Sequence, residues 1–247
     1  MNDLPPLTIA VLVNALWFSC LWLDPFDKSL TAEDGEFFGP TGKRKCAMMF
    51  HRAEGKTECA ALEDGSAVAA FLPLSDEYMS KEKSATTSGP RRASRLQLIV
   101  AVDPRSREAP PPTTKGVAEL LRSRQNKKVA LQLPRTSLEL PATSILGELN
   151  ALGINRCCSF HNEFPGFDNP RDARVDDVLH ATKLEFDERG AKGAAVTAVV
   201  MVEKAMRMDR KEEVLYVICD HPFFVGVVDS RTNVLIMAGY VYYPTPE

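Results

Sequence analysis

Four histidines and six cysteines are the side chains of this 247-residue sequence best suited to acid–base, nucleophilic or metal chemistry. His51, His161, His180 and His221 stand without serine and aspartate partners in a recognised nucleophile–base pattern. Cys157-Cys158-x-x-His161 and Cys46-x4-His51 are two loose pairs of potential metal ligands, and two loose pairs do not make a closed zinc site. The cysteines (20, 46, 59, 157, 158, 219) lack CxxC spacing, and the adjacent Cys157 and Cys158 do not easily bridge each other. Free thiols are expected rather than a disulfide framework. No catalytic residue, metal or cofactor is expected.

A different kind of chemistry is written into Phe186 to Lys204. The stretch opens like the end of a strand, with Lys183, Glu185 and Asp187 alternating against apolar neighbours. It turns small at Gly190-Ala-Lys-Gly-Ala-Ala195 and closes on the β-branched run Val196-Thr-Ala-Val-Val200, which favours extended backbone. A Gly/Ala hinge joined to strand-forming residues suits a segment that is loop in one state and strand in another. Small residues pass between strands, and alternate side chains then enter a core.

The elements that position this segment are mostly strands. Thr8 to Phe18 reads as a buried strand, followed by the aromatic anchors Trp22 and Phe26. Lys128 to Leu140 reads as a further strand, Gly116 to Arg124 as a helix by its Val117, Leu120, Leu121 spacing, and Ser144 to Leu152 as a helix closed by Gly153. Val214 to Gly226 and Asn233 to Tyr242 read as a hairpin about Asp229–Asn233. Residues 80–112, rich in Ser, Thr, Pro, Lys and Arg, read as a disordered or inserted loop, with Leu96 to Val102 as an extra strand inside it. The basic cluster Arg91-Arg92-Ala-Ser-Arg95 gives only a weak case for a polyanion such as a glycosaminoglycan. A net charge of −3 with scattered basic residues argues against a nucleic-acid partner. Leu7 to Leu23 has no basic flank and is too short to span a bilayer, so neither a membrane partner nor a signal peptide is expected in this chain.

Four blocks carry a resemblance. Glu188-x-Gly190 with the Ala/Gly and Thr-Ala-Val-Val run resembles the hinge and reactive-centre loop of a serpin. Thr8 to Phe18 with Trp22 and Pro25-Phe26 resembles the third strand of the serpin's large central sheet and the breach above it. Leu131-Gln-Leu-Pro-Arg135 through Leu149 to Ile154 resembles the sixth strand and the following helix, and Asp220-His-Pro-Phe223 with Gly239-Tyr-Val241 resembles the two C-terminal core strands.

The resemblance implies an α+β serpin fold of mainly antiparallel sheets over residues 1–247. It corresponds to the C-terminal two-thirds of the family's fold, without its N-terminal helices and first strands. Residues 188–210 would be the reactive-centre loop. Glu188, Gly190, Ala191, Gly193, Ala194 and Ala195 would form its hinge, in which Lys192 and Val196 depart from the family's habit. Counting in the family's register from Glu188 puts the reactive bond at Lys204–Ala205, with Arg207 as the competing choice; either cation suits a trypsin-like serine protease as partner. Asn14, His180, Trp22 and Arg135 match the family's shutter and breach positions. The resemblance further implies a protease inhibitor, not an enzyme, in the extracellular space, with the cytoplasm as the alternative; the rival implication is a non-inhibitory relative acting as a binding or structural protein.

Overall fold

A computed structural model describes residues 8–19, 21–52, 55–76, 92–158, 164, 166, 173–190 and 213–245. In chain order the strands are β1 (Val11–Phe18), β2 (Ala32–Gly39), β3 (Gly42–Arg52), β4 (Thr57–Ala61), β5 (Val68–Ser75) and β6 (Ala93–Val102), then β7 (Gln125–Pro134), β8 (Thr136–Ser144), β9 (Asp177–Phe186), β10 (Val214–Ile218), β11 (Phe223–Asp229) and β12 (Leu235–Val241). Helix α1 spans Thr114–Arg122 and α2 spans Leu146–Ala151. The chain forms two compact units, one of Met1–Phe18 with Leu138–Leu184, the other of Ser19–Ser137 with Glu185–Glu247.

The first unit is built on a sheet of order β1-β9-β8. β1 and β9 run parallel in unbroken register from Val11 opposite Asp177 to Phe18 opposite Leu184. Gly153, at φ +87°, closes α2 as a left-handed residue that glycine adopts without cost, and the Ile154 N–H returns to Leu149 O at 2.9 Å. β1 is a strand as its sequence predicts, but it is not buried. Leu12, Val13 and Trp17 are 53%, 68% and 60% exposed; Leu12 and Val13 point to opposite faces, so neither face is covered there by the described residues. The apolar run specified an extended chain; burial depends on what covers the face, which composition does not encode.

The second unit holds a nine-stranded sheet ordered β12-β11-β6-β5-β4-β7-β3-β2, with β10 alongside β7. β7 joins its two halves: Gln125–Lys127 pairs with β4, Ala130–Pro134 with β3, and Lys128–Gln132 in parallel with β10. Helix α1 starts where Thr113 Oγ1 accepts the Gly116 N–H at 3.2 Å. Its Val117, Leu120 and Leu121 stack on Phe71, Ile99, Ala101 and Phe224 of the sheet.

The extra strand expected at Leu96 to Val102 is present as β6, and residues 103–112 of the same stretch carry no helix or strand. β6 is an interior strand, antiparallel to β5 and to β11, with Leu98 to Val102 almost fully buried. Residues 80–91 lie outside the described part. Arg92 and Arg95 of the basic cluster lie against Asp76 and Asp229, at 4.0 and 3.3 Å, which offsets their charge.

β11 and β12 form the expected hairpin, its turn held by Asp229 Oδ1 accepting from the Arg231 and Thr232 N–H groups. Residues 214–218, read as part of that hairpin, instead form β10 on the other half of the sheet. Just before β11, buried His221 contacts Asp220 Oδ1 at 2.8 Å and Asp103 O at 2.9 Å, while Arg107 Nε donates to Asp220 Oδ2 at 2.8 Å.

Candidate functional site

The site grows from the end of β9, where the chain leaves its strand at Asp187, Glu188, Arg189 and Gly190. Backbone bonds fasten this segment to the residues after β1. The Trp22 N–H donates to Arg189 O at 2.8 Å, and the Phe26 N–H donates to Glu188 O at 2.8 Å. Trp22 is 2% exposed, its ring edge-on to Phe26 and Phe186, and its indole Nε1 donates to Asp187 O at 2.7 Å. An indole buried this deeply needs an acceptor for its N–H, and the backbone just after β9 supplies it.

Glu188 turns inward and is buried. The Arg135 guanidinium holds it through Nη2 to Oε1 and through Nε to Oε2 at 3.3 Å, and Thr31 Oγ1 donates to Oε1 at 2.9 Å. Arg135 also reaches Glu33, with Nη2 at 3.1 Å and Nη1 at 3.2 Å. Burial alone would push the Glu188 carboxyl up, but hydrogen bonds from Arg135, its own backbone and Thr31, together with the Arg135 charge, carry it below its ordinary range. The Arg135 guanidinium is pushed upward, chiefly by the hydrogen bond to Glu188.

Asp187 behaves oppositely. Burial raises it, against the N–H groups of Arg189 and Gly190, which donate to its Oδ1 at 2.8 and 3.2 Å. The turn closes with the Asp187 N–H on Gly190 O at 2.8 Å, and Gly190 sits at φ +148°, a region that disfavours a side chain. Beside the segment, the Ser137 hydroxyl donates to buried Glu185 at 2.8 Å.

Asn14 and His180 face each other in the β1–β9 register, so the two residues matched to the family's shutter meet on one ladder. Half-buried His180 contacts Thr182 Oγ1 through Nε2 at 2.7 Å, and Asn14 is exposed. Trp22, Arg135, Glu188 and Gly190 come together in the second unit. Ala191, Gly193, Ala194, Ala195, Lys204 and Ala205 lie outside the described residues, as does the rest of the 188–210 loop beyond Gly190. Sequence reading missed Thr31 and Glu33. Their signal was slight: two polar residues at i and i+2, which share one face of extended backbone.

A family model described as Serpin (serine protease inhibitor) matches residues 1–244. The chain belongs to the serpin family. Among curated relatives it is 27% identical over 241 residues to Iripin-8 of Ixodes ricinus, covering 97% of this chain and 56% of that protein. Among solved structures it resembles a serpin from the trematode Schistosoma haematobium, with a TM-score of 0.70 and 19% identity over 98% of this chain and 59% of that one. Thyroxine-binding globulin in complex with thyroxine matches with a TM-score of 0.72 and 21% identity, over 99% and 59%. These likenesses fix a serpin fold of mainly antiparallel sheets. The chain spans just over half the length of the curated relatives it matches.

Proposed function

We propose that this serpin belongs to a serine protease inhibitor whose loop is cut at Lys204–Ala205 by a trypsin-like protease and then enters the sheet beside β9. One observation carries the reading: β1 and β9 are direct parallel neighbours, and the chain that continues from β9 reaches a positive-φ glycine, Gly190, within four residues of the strand's end. A chain that doubles back from β9 between two parallel strands is antiparallel to both, so it exchanges one parallel ladder for two antiparallel ones, the slightly more stable pairing. About 15 residues at roughly 3.3 Å each would carry an acylated protease on the order of 50 Å. The gain comes from new ladder hydrogen bonds and from burial of alternate small side chains.

A second reading, a non-inhibitory serpin that binds a ligand or partner, draws on Lys192 and Val196 in the hinge, where a charge and a bulky side chain oppose entry into a sheet. Mixing the protein with trypsin and running denaturing gels separates the two. A band at the summed mass that disappears in Lys204→Ala supports trapping. Cleavage with no such band favours the second reading. The released peptide should begin at Ala205; one beginning at Met208 moves the reactive bond to Arg207.

A further inference from the structure

Adjacent residues of a strand send their side chains to opposite faces, yet Cys157 and Cys158 bring their sulfurs to 3.7 Å. The 3-10 turn Arg156–Cys158 makes this approach, and it is pinned within its own unit. The Cys158 N–H donates to Asn155 O at 3.2 Å, and the Val175 N–H donates to Cys157 O at 2.8 Å. Among the described residues this is the one pair of cysteine sulfurs in contact. Cys59 and Cys219 are buried; burial pushes both thiols up, pushes Cys46 up to about 11, and raises Cys158 too, with its neighbour Cys157 adding to the shift. Cys157 and Cys158 are both half-exposed, so a reagent in solution can reach them together.

The separation says what fits. Two bonds of about 2.3 Å, the usual length from a metal to a thiolate, span 3.7 Å at a near-tetrahedral angle. A divalent cation would still need further ligands, and among the described residues no group of three or more His, Cys, Asp or Glu is placed to supply them. A centre whose valences are satisfied by two sulfurs needs nothing more.

We propose that Cys157 and Cys158 form a dithiol site for thiophilic centres that bond two sulfurs, of the class of monosubstituted trivalent arsenicals. The reaction balances without an oxidant. An arsenic oxide R–As=O meets two S–H groups, two As–S bonds form, and the oxide oxygen leaves with both protons as water. Arsenic stays trivalent, and an excess of a small dithiol reverses the step. The product is a closed ring across the turn that also supports β9, because Val175 lies just before that strand.

Phenylarsine oxide is the probe. The protein should gain one phenylarsenic unit by intact mass and lose two titratable thiols. It should retain the label through a monothiol wash and release it to a dithiol. Cys157→Ser and Cys158→Ser should each lower retention by roughly a hundredfold, the usual gain when a second bond forms intramolecularly. Thermal melts of both variants verify that they fold; if either does not, alkylation of the native protein with a monofunctional reagent, mapped by peptide mass to either residue, should block uptake equally. Retention unchanged in both variants, or uptake with the thiol titre lowered by one, overturns the proposal.

Discussion

Arg135 holds Glu188 with the same guanidinium that reaches Glu33, so the carboxylate just after β9 shares its cation with the start of β2. Glu188 is buried and Glu33 is 61% exposed, so the shared charge acts mainly on Glu188.

Removing that cation should loosen the segment after β9. Arg135→Ala leaves a buried carboxylate held by Thr31 alone among side chains, and should cost about 2 kcal/mol, less than a fully buried pair because the guanidinium is partly solvated. Arg135→Lys should recover only part of the loss, since an ammonium lacks the fork that meets both oxygens. Urea denaturation of the three proteins gives the order wild type, Lys, Ala.

Acid should act on the same contact. Glu188 lies below its ordinary value of 4.5 in the folded protein, so its stabilisation is complete above that pH and is lost as pH falls through the folded value. Asp187 lies above its ordinary value, so its ionisation penalty is present at neutral pH and is relieved on acidification. Glu188→Gln should therefore flatten the loss of stability below about pH 4.5. Thermal unfolding across that range measures it.

Trp22→Phe keeps most of the ring packing against Phe26 and Phe186 but leaves Asp187 O without the indole donor. The expected cost is about 1 kcal/mol. Trp22→Ala also opens a cavity and should cost about 3–5 kcal/mol. Trp17 is exposed and Trp22 buried, so the emission lost in Trp22→Phe is the blue-shifted component.

Gly190→Ala forces a Cβ onto a φ of +148° and should destabilise by about 1–3 kcal/mol. Gly147→Ala, at an α2 position with open space around it, should be neutral or mildly stabilising. Paired melts of the two variants separate backbone strain from simple loss of a glycine.

Strands were readable where β-branched and aromatic residues run together, as in β1 and β11, and α1 was readable from Val117, Leu120 and Leu121. The placement of β6 was not: its apolar core lies between proline-rich and basic flanks, and only the pairing with β5 and β11 reveals an interior strand. Trp22, Arg135 and Glu188 were found through family resemblance. Their contact spans 53 residues from Arg135 to Glu188, a closeness that local pattern does not carry. Exposure of β1 was illegible for the same reason, since a strand's own residues do not say what lies over them.

The pairing of β5 with β6 also marks where the molecule will accept foreign sequence. Ser75 and Ala93 are ladder partners, and beyond them the Asp76 N–H donates to Arg92 O at 3.0 Å. The two ends of the intervening segment are thus clamped side by side whatever its length. Closing a longer loop costs only about 0.6 kcal/mol per doubling. An epitope or a fluorescent-label tag spliced between Asp76 and Arg92 should leave the ladder between β5 and β6 intact, making the segment between them a handle for immobilising the protein.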